Sequence, residues 1–243
     1  MTDILLEVCV DDAAGLRAAI DGGADRIELC SALAVGGLTP SAGLMTLAGR
    51  SSVPCYAMIR PRVGDFVYSA EELAVMEDDI RFAASCGIAG VVFGANLPDG
   101  RLDHDALTQL SEVIASMPRT LHRAFDLVPD IADAIEIATA CGFERILTSG
   151  RALSASEGID DLKTAVEVAN GQISIMPGSG VNLETVEKLL AQVEVSEIHS
   201  SCSSNVDVAN PAVAAFGFSD PQIKRTDARL VHAMKKILLD HRV

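Results

Sequence analysis

Eight short apolar, β-rich runs recur along the 243-residue chain, their starts 21 to 35 residues apart. They are Ile4–Cys9, Asp25–Cys30, Cys55–Arg60, Gly90–Phe93, Arg119–Arg123, Phe143–Thr148, Gln172–Met176 and Ser196–His199. Each interval has room for one helix and two loops, the βα unit. The helix signals agree. Ser69 and Glu72 form an S-x-x-E capping box before LAVMEDDIRFAA. Asp103 is placed to cap a helix through Met117, and Pro118 stops it. Asn182 precedes LETVEKLLAQV, and the last helix spans Thr226–Asp240. Gly87 and Gly142 stand where helix ends need a left-handed residue. The segments GGADRIELC, SCGIAGVVFG, ACGFERILTSG and VEVSEIHSS repeat one theme, a helix end joined to a short strand. The pattern predicts a single (β/α)₈ TIM barrel over residues 1–243. A doubly wound open sheet fits less well, because no GxGxxG follows the first strand. Ser203–Arg225, after the eighth strand, reads as an irregular loop over one barrel end.

Charge narrows the partners. Nineteen basic against 34 acidic residues give −15, which argues against nucleic acid and against anionic membranes. No run approaches 18 consecutive apolar residues, so no membrane span is expected. The acidic start, MTDILLEVCVDD, has neither the basic region nor the apolar run of a signal peptide, so a cytoplasmic location is expected. No dinucleotide fingerprint or Walker loop is present, and no nucleotide cofactor is expected.

In this fold, sites sit at the C-terminal strand ends. Strand side chains alternate, so inward residues follow from the sequence. The first strand turns Leu5, Glu7 and Cys9 inward, and the second Arg26, Glu28 and Cys30. Met58 and Arg60, Thr120 and His122, and Glu197 and His199 share faces on the third, fifth and eighth. Glu7, Glu28, Arg60, His122 and His199 therefore converge at one mouth. Arg62 and Asp65 follow in the third loop, Arg123 and Asp126 in the fifth. Arg26, Arg145 and Glu197 lie deeper and are expected as an ion-paired core. The turns MPGSGV (with Gly178, Ser179 and Gly180) and HSSCSS (with Ser200 and Ser201) follow strands seven and eight, where barrels often hold phosphate.

Six cysteines are scattered without a CxxC, so thiols rather than disulfides are expected. Cys9 and Cys30 read as equivalent ends of neighbouring strands. Two inward thiolates there suit a soft ion such as Cu(I), with Met58 offering a thioether. Cys55 alternates toward the helices, and Cys86 and Cys141 sit in helix-end turns.

In order along the chain, EVCVDD, GGADRIELCSAL, GGLTPS, MIRPRVGDFVYS, VVFGA, HRAFD, FERILTSG, MPGSGV and EIHSS closely resemble the CutC copper-homeostasis family. The likeness runs from about Leu6 to His199 and fades in Ser203–Val243. Val63, where glycine is frequent, and Ser179 are mild departures. The resemblance implies a cytoplasmic, homo-oligomeric (β/α)₈ barrel that handles Cu(I). Cys9 and Cys30 match the two cysteines proposed as copper ligands in some members. The family's polar mouth corresponds here to Glu7, Glu28, Arg60, Arg62, Asp65, His122, Arg123, Asp126 and His199. Two functions are therefore expected in competition. One is copper homeostasis, with Cu(I) held by cysteines at the mouth. The other is an isomerase, lyase or hydrolase acting on a small anionic or phosphorylated metabolite. In the second, Glu7, Glu28, His122, Arg123, Asp126 and His199 supply the chemistry. Arg60 and Arg62 grip the anion, with Gly178, Ser179, Gly180, Ser200 and Ser201 as its phosphate turns.

Overall fold

In the computed structural model, residues 3–114 and 116–241 are described. Eight parallel strands form one sheet: β1 (Leu5–Val10), β2 (Arg26–Leu29), β3 (Cys55–Met58), β4 (Gly90–Phe93), β5 (Arg119–Leu121), β6 (Arg145–Thr148), β7 (Ser174–Pro177) and β8 (Glu197–Ser200). Their order is β7-β6-β5-β4-β3-β2-β1-β8, and the end strands β7 and β8 lie against each other. The sheet thus curls into the expected (β/α)₈ barrel.

Helices α1 (Ala13–Gly22), α2 (Ala42–Ala48), α3 (Ala70–Ser85), α4 (His104–Ile114), α5 (Ile131–Ala140), α6 (Ile159–Ala169) and α7 (Val186–Leu190) follow the first seven strands. The expected caps form. Ser69 and Glu72 close a reciprocal capping box on α3, and Asp103 accepts the Ala106 amide at the start of α4. Asn182 accepts the amides of Glu184 and Thr185, but α7 itself begins only at Val186.

The segment after β8 differs from the expected irregular loop. It contains β9 (Ser203–Asp207), α8 (Pro211–Ala215) and β10 (Gln222–Thr226), with β9 and β10 paired antiparallel. The strands SSNVD and QIKRT are polar and mostly exposed, so no apolar alternation announces them. Helix α9 (Ala228–Asp240) then completes the outer ring, capped by Asp227.

The large apolar core lies between strands and helices. It includes Leu6, Val8, Ile27, Leu29, Phe93 and Ile146 on the strands, and Leu107, Leu110 and Leu162 on the helices. The barrel interior is different. Its apolar patch is Cys30, Tyr56, Met58 and Val92. Below and beside this patch the filling is charged. The Arg26 guanidinium bonds both Glu7 and Glu197, and Arg145 reaches Glu197 at 3.0 Å and Thr120 at 3.2 Å. Tyr56 packs against both arginines, 5.2 and 5.3 Å from its ring centre. The expected ion-paired core of Arg26, Arg145 and Glu197 is present, and Glu7 extends it upward.

Breaking a buried pair on one side leaves an uncompensated charge. Arg26→Met should therefore cost about 3–5 kcal/mol of stability. The shift of the urea unfolding midpoint, compared with wild type at neutral pH, measures it.

Candidate functional site

The mouth is built by register. Glu7 of β1 pairs laterally with His199 of β8 and with Arg26 of β2, while Cys9 stands level with Glu28. Alternation alone puts Cys9 and Cys30 level, but the register does not. The stagger of a closed barrel places Cys30 two residues beyond Cys9's partner. Cys30 is fully buried beside Met58 and gives its thiol to Glu28 at 3.5 Å. Burial, followed by the nearby Glu28 carboxylate, pushes that thiol well above the ordinary cysteine value.

Around Cys9 the donors cluster. One ligand atom each from Cys9, Glu28 and His199 lies within 4.8 Å of the other two, and all three residues are buried. His199 Nδ1 donates to Glu7 Oε1 at 2.8 Å, which leaves Nε2 facing Glu28 at 3.8 Å. Burial resists a charge on His199, but the Cys9 sulfur and the Glu28 and Glu7 carboxylates outweigh it and hold its pKa well above the usual imidazole range. Glu7 is also fully buried, yet Arg26 and His199 pull its pKa down to about 2. Burial raises the pKa of Glu28, even though His199 opposes the rise. Two neighbouring carboxylates thus differ in basicity because only Glu7 touches a guanidinium.

His122 follows β5 and faces the same mouth. Its Nδ1 accepts the Ala124 amide at 3.1 Å, so the ring proton sits on Nε2. Burial and the Arg60 charge lower its pKa to about 3. The ring is neutral at physiological pH and offers Nε2–H as a donor. Gly94 makes room for it, because a Cβ there would come within 2.7 Å of the ring. Phe66 packs on the other side, 4.7 Å between ring centres, and also lies 5.0 Å beneath the Arg60 guanidinium.

Several expected site residues serve the loops. Arg60 Nη1 donates to the carbonyls of Val35 and Gly37, both at 3.0 Å, and Nη2 to Gly64 at 2.9 Å. The expected two-pronged grip on an anion is thereby occupied. Arg62 binds Glu72 of the capping box, Asp65 at 3.0 Å and the Val67 carbonyl at 2.7 Å, strapping the loop to α3. Asp126 accepts Thr148 Oγ1 at 2.5 Å and the amides of Ser149 and Arg151 at 3.0 and 3.1 Å. Arg123 pairs with Asp126 at 2.6 Å and Ser149 Oγ at 2.8 Å. This pair clamps the β6–α6 loop.

Two adjoining cavities open here, and Cys9, Ser179 and His199 line both. The one over the barrel centre, about 230 Å³, reaches Glu28, Arg60, Phe66 and His122. The other, about 470 Å³, runs along residues 179–184 and 199–203 to Lys224 of β10. Ser179, Gly180, Ser200 and Ser201 line it as the turns suggested. Gly178 lies behind them, against Leu147 and His199. Phe66 and Lys224 were missed as site residues. Phe66 was visible inside the GDF motif, whereas Lys224 lay in the segment read as irregular.

A TIM barrel with a buried thiol, imidazole and carboxylate converging at its mouth is the class of protein that fold and site define. The CutC family model matches residues 4–204. The chain belongs to the CutC family. A CutC family protein of Sinorhizobium medicae is 56% identical over 98% of this chain and 97% of its own length. The human copper homeostasis protein cutC homolog is 42% identical over 96% of this chain and 88% of its own. A CutC crystal structure from Streptococcus agalactiae superposes with a TM-score of 0.77 at 34% identity, covering 82% of this chain and 98% of that one. Among the described residues no helix is long and apolar enough to cross a membrane.

The neutral His122 has a measurable consequence. Folding lowers its pKa from 6.5 to about 3, so the unfolded chain binds one more proton between those values. Its contribution to stability is complete above pH 6.5 and declines as the pH falls toward 3. Relative to His122→Gln, wild type should lose up to about 1.4 kcal/mol per pH unit in that window. Urea denaturation of both proteins at stepped pH reads the difference. Parallel curves would contradict a neutral buried ring.

Proposed function

We propose that the protein serves copper homeostasis by holding copper at the mouth of the barrel, with Cys9 as the anchoring thiolate and His199 as its partner. The observation that carries this reading is the convergence of Cys9, His199 and Glu28 donor atoms within 4.8 Å. Thiolate and imidazole suit copper, whereas a carboxylate suits harder ions. Glu7 bonds the far nitrogen of His199 and so orients Nε2, the usual outer support of a metal-bound histidine. The ligands must shed protons to bind, so uptake releases them. Cys30, buried and bonded to Glu28, is a reserve ligand that joins only after losing its proton. Cys9 and His199 both border open cavities, so the ion enters without displacing a strand.

An anaerobic Cu(I) competition titration against a chelator of known affinity tests this reading. One ion per chain is expected. Cys9→Ser should weaken binding at least about a hundredfold, a loss of ~2.7 kcal/mol. Cys30→Ser should weaken it about tenfold or less. Affinity indifferent to Cys9 would remove copper from the mouth.

A second reading, an enzyme acting on a small anionic or phosphorylated metabolite, is favoured by the larger cavity. Ser179, Gly180, Ser200 and Ser201 line it beside Lys224, with Glu184 also in the lining. Inorganic phosphate should then raise the melting temperature of the wild type and leave Lys224→Ala unmoved. Equal stabilisation of both would remove Lys224 from any anion site.

A further inference from the structure

The smaller cavity carries an unusual concentration of unanswered polarity. Glu28 Oε1, Arg60 Nε and His122 Nε2 are all buried without a hydrogen-bond partner, and all three residues line this one space. Buried polar atoms are ordinarily paired, and three unpaired ones around a single space call for an explanation there. Their roles are assigned by what their other atoms already do. The Ala124 amide occupies Nδ1 of His122, so Nε2 carries the proton and donates. Loop carbonyls take up both hydrogens of Arg60 Nη1 and one of Nη2, while Nε–H has no partner. Phe66 packs against both the His122 ring and the Arg60 guanidinium, so the two donor groups flank one aromatic side chain. Glu28 supplies an acceptor. Leu33, Met58 and Leu147 make the remaining wall apolar.

Two convergent donors, one of them on a cation, call for an oxyanion. The lone acceptor calls for a hydroxyl. About 230 Å³ lies below the usual range for drug-sized ligands, which suits a molecule of a few carbons. We propose that this cavity binds a short-chain 2-hydroxy carboxylate, its carboxylate on His122 Nε2–H and Arg60 Nε–H and its hydroxyl on Glu28 Oε1. This goes beyond copper binding and does not require it. A bound hydroxy acid would lie beside Cys9 and His199, so cargo and small molecule would share one mouth.

Isothermal titration of the metal-free full-length protein with glycolate and lactate tests the assignment, with acetate as the analogue lacking the hydroxyl. Saturable binding of glycolate or lactate is expected, with acetate at least about tenfold weaker, since a site built to bond a hydroxyl rejects its absence. His122→Asn keeps an acceptor for the Ala124 amide but removes the Nε2 donor. It should weaken glycolate at least about tenfold while its circular dichroism matches wild type. Glycolate binding to the metal-free protein should be unaffected by an added Cu(I) chelator, which separates this site from the copper reading. The acetate comparison uses unmodified protein and stands even where a variant folds poorly. Acetate binding as tightly as glycolate, absence of saturable binding by either hydroxy acid, or indifference to His122→Asn would each overturn the proposal.

Discussion

Glu7 is the carboxylate on which the interior depends. One of its oxygens bonds the Arg26 guanidinium and the other bonds His199. Arg26 in turn engages Glu197, which holds Arg145. A single fully buried side chain thus joins the ionic filling of the barrel to the chemistry at its mouth. Its charge is secured from below, so it can orient an imidazole above. Most barrels fill this space with branched apolar residues. Here a charged column takes their place, and the apolar core is displaced to the layer between strands and helices.

That arrangement explains the division of labour among the mouth's polar groups. Glu7 is committed and strongly acidic, while Glu28, two residues beyond Arg26 along β2, keeps one oxygen unengaged. His199 is drawn toward the charged form by surrounding acids, whereas His122, beside Arg60 and clamped by a backbone amide, is held neutral. Two histidines and two glutamates in one small volume therefore behave as four different reagents. Environment, rather than residue type, distinguishes them.

Much of this was legible in the sequence. Alternation correctly turned Glu7, Cys9, Arg26 and Glu28 inward, and the spacing of the eight runs sufficed for the barrel. What alternation lacks is the stagger between strands, and so Cys30 was read as level with Cys9 when Glu28 holds that position. The partners of the loop residues escaped the pattern for a different reason. Arg62, Arg123 and Asp126 carry the charges of a binding site, but their partners, such as Glu72, Ser149 and Arg151, come from other parts of the chain. Polar strands such as SSNVD and QIKRT carry no period-two signature, so the ribbon that brings Lys224 to the mouth left no trace in the pattern.

The ribbon also divides the molecule in another way. Strands β9 and β10 form their own two-stranded sheet, apart from the barrel ladder. The family match ends at residue 204, barely inside β9. Insertions, deletions or exchanges between there and α9 disturb no barrel hydrogen bond, yet they rewrite one wall of the larger cavity. Selection can retune what enters from that side while the ionic column and the thiol-bearing centre stay untouched.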